Sequence, residues 1–309
     1  MASRFKLFRR RVRYATIYRV VEGVIWIASK LPRRTWLNFC GSLGRLAFRL
    51  AAQSRELAIR HLTMIYGKEK SPDEIRAMAK KVFEMLGRNA SDVIRSFHQK
   101  DIAHYREYIK VTGREIAEEA MARGKGLVFI TAHIGSFELL AVEVSAWGFK
   151  PYIVGEPLKD PRLDEMVVNH RSKFGGNSVD RFKDTVKIFK KLKEGAAVAL
   201  LVDQDIKIKS VMTTFLGLPC ATPIGGTIMA MKSKAPVVPI FIHMNEDSTH
   251  EIVVYPEIKM VDTGDQEKDI SVNTQLINNA IEQEIRKHPT QWVWMHERWK
   301  TKAGEEIKY

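Results

Sequence analysis

A histidine followed five positions later by a glutamate, His133 and Glu138, is where this chain first brings acid–base groups together. A short apolar run, Leu127 to Ile130, leads into the pair, so the imidazole follows a strand of the buried type. Gly135 permits a tight turn, Ser136 can cap the helix that follows, and Glu138 falls in its first turn. A carboxylate there can fold back onto the imidazole, fix its tautomer and stabilise the imidazolium after proton uptake. A histidine so held is an effective general base. The same residues have a plainer reading, with Glu138 serving the helix dipole and His133 a hydrogen-bonded histidine at a strand end. Spacing leaves both open.

A second apolar strand closes on acids, in Leu201-Val202-Asp203-Gln204-Asp205. Asp203 or Asp205 can position a cation, an arginine or a substrate, or simply solvate a turn. Two acids in this pattern also suit a divalent ion beside a nucleotide diphosphate, which makes a metal-dependent glycosyltransferase the alternative function. Several common sites are missing from the sequence. It holds no GxSxG elbow, no GxxxxGK[ST] loop, no GxGxxG, no HExxH, no zinc-like Cys/His cluster and no nucleic-acid-binding motif.

The elements that must hold these groups alternate. Apolar, β-prone runs at 127–130, 151–154, 196–202, 237–242 and 252–255 are separated by helical patterns at about 137–147, 161–173, 183–193, 223–233 and 267–287. That order predicts an α/β fold with a mostly parallel central sheet flanked by helices. In such sheets functional groups gather beyond the C-terminal ends of the strands. Residues 1 to about 110 read as helical, and Ser71-Pro72-Asp73-Glu74 predicts a capped start to a helix reaching about Phe97.

At 309 residues and 45% hydrophobic, the chain can bury one large domain or two small ones. Its formal charge of +14 attracts nucleic acid, anionic lipid or acidic protein, and does not choose among them. Cys40 and Cys220 lack the spacing of a metal or redox pair, and read as unpaired thiols, Cys220 in a loop beside Pro219. The N-terminus carries Arg4, Lys6, Arg9, Arg10, Arg11 and Arg13, then an apolar run from Thr16 to Leu31 broken by Arg19 and Glu22. That run is short for a bilayer span of about 20 residues, and nothing after it resembles a signal-peptide cleavage site. Trp36, Phe39, Leu43, Leu46, Ala47 and Leu50 recur at helical spacing with Arg33, Arg34, Arg45 and Arg49 around them. A helix of this kind can lie in the headgroup layer of an anionic membrane, or pack on the core as an ordinary amphipathic helix; the basic N-terminus favours the membrane.

Ordered blocks extend from His133–Glu138 through Arg171 to Asn177, Val202 to Asp205 and Phe215 to Pro219, and end with His288 to Lys300. In these the chain resembles the bacterial lipid A biosynthesis acyltransferases, which add late acyl chains to lipid A, and related lysophospholipid and mannoside acyltransferases. The likeness runs from about residue 15 to 302. It implies a glycerolipid acyltransferase-like fold with residues 1–52 as a basic, membrane-associating segment and 53–309 as the acyltransferase domain. It implies catalysis by His133 and Glu138, with substrate, oxyanion or phosphate contacts from Arg171, Asp203 and Ser136. Arg171 is the side-chain candidate for the oxyanion, and Asp203 holds the constellation together. No cofactor or metal is implied. The co-substrate is an acyl thioester of acyl carrier protein or CoA, and the acceptor an anionic membrane lipid, not nucleic acid. The place implied is the cytoplasmic face of a bacterial inner membrane, peripheral or monotopic, with a single N-terminal span as the alternative. The chain departs from its relatives at Ser136-Phe137, where members often have Asn-Trp, and at Glu297, where they often have arginine.

Overall fold

Every residue of strand β2 (Leu127–Thr131) is buried, because both faces of the sheet around it are covered. In the computed structural model, which describes residues 2–99, 101 and 103–302, β2 lies at the centre of a seven-stranded sheet. The other strands are β1 (Ile109–Thr112), β3 (Tyr152–Gly155), β4 (Asn177–Asp180), β5 (Ala197–Leu201), β8 (Val237–Met244) and β9 (His250–Val254). Their order is β1-β9-β8-β2-β5-β3-β4. All neighbours are parallel except β8 and β9. A separate antiparallel hairpin joins β6 (Ser210–Phe215) to β7 (Leu218–Pro223). Its turn, Leu216-Gly217, has positive φ at both residues (51° and 84°), the backbone twist that two-residue hairpins favour. Cys220 therefore sits in a strand, buried, and not in a loop.

Side chains of the strands alternate between two cores. Val128 and Ile130 join one with α3 (Ala52–Tyr66), α9 (Thr185–Lys193) and α11 (Gln266–Lys287). Leu127 and Phe129 join the other with α6 (Arg114–Ala122) and α7 (Phe137–Val144). The expected helices at 161–173 and 223–233 are α8 (Pro161–Ser172) and α10 (Gly225–Ser233). A four-residue helix α5 (Ala103–Arg106) precedes β1.

The N-terminal layer is helical: α1 (Ala2–Lys30), α2 (Arg33–Leu50) and α4 (Pro72–Ser96). Ser71 and Glu74 form the expected capping box at the start of α4. α2 crosses α4 at backbone contact, which only glycine allows. A Cβ on Gly44 would lie 2.1 Å from the Phe83 carbonyl oxygen, and one on Gly87 would lie 2.2 Å from that of Cys40. Arg33 anchors the start of α2 through a two-point ion pair with the fully buried Asp92, which His250 also meets. Trp36, expected on the lipid-facing stripe, instead points inward and donates its Nε1–H to the Ser91 carbonyl.

The stripe that remains outside is apolar. Phe39, Leu43, Leu46 and Leu50 on α2 are about half exposed or more, as are Val20 and Trp26 on α1. The exposed Arg11, Arg13, Arg34 and Arg49 surround them. The side chains of Arg4, Lys6 and Arg10, part of the basic run, lie outside the described residues. No described helix is long and apolar enough to cross a membrane.

Candidate active site

Parallel pairing of β2 with β5 sets Thr131 opposite Leu201. Two residues past each strand end, His133 and Asp203 therefore emerge side by side at the C-terminal edge of the sheet. His133 Nδ1 and Asp203 Oδ1 are 2.9 Å apart. Asp203 Oδ2 accepts from the His133 backbone N–H at 2.9 Å and from Trp292 Nε1 at 2.8 Å. Three donors thus hold a carboxylate with no exposed surface. A buried charge needs such a set, because each lost donor leaves an acceptor desolvated and unpaired.

The two groups move each other's proton affinities. Burial alone would push the Asp203 carboxyl up, but His133, Trp292 and the His133 N–H bring it down to about 2. Burial also works against a charged imidazole at His133, yet the Asp203 carboxylate, with a smaller contribution from Glu138, raises its pKa above the ordinary value. With Nδ1–H committed to Asp203, the remaining nitrogen, Nε2, is the one that can take a proton.

The carboxylate on the imidazole is therefore Asp203, not Glu138. Glu138 opens α7 and forms a two-point pair with Arg171 of α8, at 3.0 Å from Nε and 2.6 Å from Nη2. Arg171 also reaches Ser178 Oγ. Ser136 makes neither its expected cap nor an outward contact. Its hydroxyl is buried and donates to the Asn89 carbonyl on α4, at 3.0 Å. Gly135 has φ of 58°, and a Cβ there would lie 2.0 Å from the Ile242 carbonyl oxygen, so the turn has no room for a side chain.

The closing segment clamps this turn. Ile134 bridges to Trp292, the Gly135 N–H donates to the Gln291 carbonyl, and the Val293 N–H donates to that of His133. Trp292 was legible only as part of a familiar block, and its role as a donor to Asp203 was not. Glu297 forms an exposed ion pair with Arg60 of α3.

Among the described residues, Asp205 joins no group of three metal-ligating side chains. Its Oδ2 accepts from the Thr301 N–H, and Lys300 donates to its carbonyl. With Asp203 committed to His133 and Trp292, and Asp205 to the closing segment, the glycosyltransferase alternative is not favoured.

A narrow, nearly closed apolar cleft with about 30 Å³ of free space is walled by Phe129, Phe137, Leu140, Val144, Ile153 and Leu201, with Glu138 and Arg171 also in its lining. The Phe137 ring packs edge-on against His133. Thr131 Oγ1 also lines the cleft, buried and without a hydrogen-bond partner among the described residues. A wider cleft of about 470 Å³ lies between α1 and α8, lined by Tyr18, Trp26, His98, Arg162, His170 and Lys173 among others.

The chain is similar to known proteins over most of its length. Residues 3–301 match the family model described as bacterial lipid A biosynthesis acyltransferase. The chain is 26% identical over 287 residues to the lipid A biosynthesis lauroyltransferase of Escherichia coli (strain K12), covering 91% of this chain and 90% of that one. It is 24% identical over 298 residues to the lipid A biosynthesis palmitoleoyltransferase of the same organism, covering 93% and 92%. It is 22% identical over 231 residues to a phosphatidylinositol mannoside acyltransferase of Mycobacterium tuberculosis (strain CDC 1551 / Oshkosh), covering 72% and 70%.

Proposed function

The chain belongs to the bacterial lipid A biosynthesis acyltransferase family, and from that premise we propose that it moves a fatty acyl group from a thioester to a membrane-lipid hydroxyl, with His133 as general base. The observation that carries this reading is the 2.9 Å contact of His133 Nδ1 with the buried Asp203 carboxylate, the imidazole packing on Phe137 of the apolar cleft. His133 Nε2 takes the proton from the acceptor hydroxyl as that oxygen attacks the thioester carbonyl. The C–S bond then breaks, and the imidazolium returns its proton to the departing thiolate. Products are an ester and a free thiol, and His133 is neutral again. Asp203 holds the Nδ1–H tautomer and offsets the transient positive charge.

The apolar lining of the narrow cleft suits an acyl chain, which its walls must part to admit. In that lining the Arg171 guanidinium, held by Glu138, and the unpartnered Thr131 hydroxyl are the donors within reach of a developing oxyanion. The Gly135 N–H is already bonded to the Gln291 carbonyl and is not free for this role. The wider cleft, with Arg162 and Lys173 on its walls, suits the polar headgroup of the acceptor. The donor is an acyl carrier protein or CoA thioester, and the overall basic charge favours encounter with either.

The decisive assay mixes purified chain with an acyl thioester and a phosphorylated glycolipid or lysophospholipid acceptor. Free thiol should appear in step with an acceptor heavier by one acyl chain. Consumption of a nucleotide sugar with no thiol release would reject the reading.

The exposed stripe of α2 and α1 is proposed as the membrane contact, and the cytoplasmic face of the inner membrane, the place the family resemblance implies, as its location. Deleting residues 1–52 would strip α4 of its packing partner, so point changes test this better. The double variant Leu43→Glu with Leu46→Glu should bind anionic vesicles about tenfold or more less tightly in flotation, since it exchanges buried apolar area for two charges. Undiminished flotation would reject this face as the anchor.

A further inference from the structure

A second cluster of ligand-type side chains lies on the α11 side of β8 and has no part in acyl transfer. His243 is near the end of β8, Glu284 is in the last turn of α11, and His288 caps that helix. His243 Nδ1 is 3.1 Å from Glu284 Oε1, and His288 Nε2 is 3.8 Å from the same oxygen. Among the described residues, this is the group in which three such ligand atoms lie within 4.8 Å of one another.

We propose that His243, Glu284 and His288 bind a divalent transition-metal ion of the Zn²⁺ class, with a fourth position open to water. Two imidazoles and one carboxylate are a recurrent ligand set for that ion. A tetrahedral ion with bonds of about 2.0–2.1 Å holds its ligand atoms roughly 3.3 Å apart, and the two separations to Glu284 Oε1 bracket that value. Glu284 and His288 are four residues apart at the end of one helix, so they share a face.

The surroundings match those of bound metal. Tyr255 donates its hydroxyl to Glu284 Oε2, and Lys287 donates in turn to Tyr255. His243 Nε2 lies 3.8 Å from Glu251 Oε2. A metal-bound imidazole characteristically turns its other N–H toward a carboxylate, and ligating carboxylates are themselves hydrogen-bonded. Without metal, the His243 and His288 rings stack at 3.6 Å and Nδ1–H of His243 donates to Glu284. On binding, His243 takes the Nε2–H tautomer, its proton moving from Nδ1 to the nitrogen facing Glu251, and the His288 ring, on a side chain 27% exposed, turns out of the stack to bring its lone pair onto the ion. The ion would tie β8 to the point where α11 hands over to the segment carrying Trp292.

Purified full-length chain titrated with Zn²⁺ against a chromophoric chelator should bind one ion, and Co²⁺ should give the intense visible bands of a tetrahedral site. His288→Ala should abolish those bands, and His133→Ala should leave them unchanged. Tyr255→Phe, which keeps all three ligands, should weaken Zn²⁺ binding by about 10–100-fold, and keeps the test decisive if His288→Ala fails to fold. No stoichiometric binding, tetrahedral bands that survive His288→Ala, bands that vanish with His133→Ala, or an unchanged affinity in Tyr255→Phe would overturn the assignment.

Discussion

Purified His133→Ala should transfer acyl chains roughly 10²–10⁴-fold more slowly than the parent chain, with the loss in kcat more than in KM. The base acts only as the acceptor oxygen attacks, so its removal raises the barrier and leaves ground-state binding in place. The apolar cleft, the Glu138–Arg171 pair and the wider cleft do not depend on the ring. The change does disturb Asp203, which keeps the His133 backbone N–H and Trp292 but loses its third donor. A buried acceptor left unpaired costs about 1–3 kcal/mol, so the unfolding midpoint belongs beside the rate. A folded variant that turns over near the parental rate would remove His133 from the chemistry.

Much of this site could be read from the chain, and the part that could not has a definite cause. His133 and Asp203 were both marked by the same signal, a polar residue ending an apolar strand. Their partnership depends on β2 and β5 being neighbours, although β3, β4 and three helices lie between them in sequence. Periodicity fixes the face a residue takes but says nothing about which strands pair. Spacing along the chain instead favoured the nearby Glu138, which the fold sends to Arg171.

The strands that went unread are those with weak apolar signals. β4, Asn177–Asp180, is an edge strand with mostly polar side chains, and β1 is only four residues long at the opposite edge. The β6–β7 hairpin was hidden because its turn carries an unusual leucine with positive φ where asparagine or glycine is the usual marker. Trp292 illustrates the same limit from the other end of the chain. Its indole crosses 89 residues to reach Asp203, a distance over which no local pattern reports.

The second large effect is expected at Asp203, where the exchange of one oxygen for nitrogen reverses the imidazole. In Asp203→Asn, the carboxamide oxygen must take the Oδ2 position, since two donors, the His133 N–H and Trp292 Nε1–H, point there. The amide NH₂ then faces His133 Nδ1 and donates to it. That drives the ring proton onto Nε2, the nitrogen that must be bare to accept the acceptor's proton. The analogous change in serine-protease triads costs on the order of 10⁴ in kcat, and a loss of that order is expected here. The pH profile separates this from a structural effect. In the parent, the acid limb of kcat/KM follows the His133 pKa, which stands above the ordinary value mainly because Asp203 outweighs burial. Without the carboxylate, burial dominates, and the acid limb of the residual activity should move to lower pH. Stability responds with the same logic. The raised His133 pKa gives the parent a contribution that is complete below about pH 6.5 and is lost as pH rises through the folded value. The depressed Asp203 pKa gives one that is present above about pH 3.9 and is lost as pH falls toward about 2. Asp203→Asn should flatten both. A variant that keeps activity within tenfold of the parent, or an acid limb that does not move, would mean that the imidazole draws its basicity from somewhere other than Asp203.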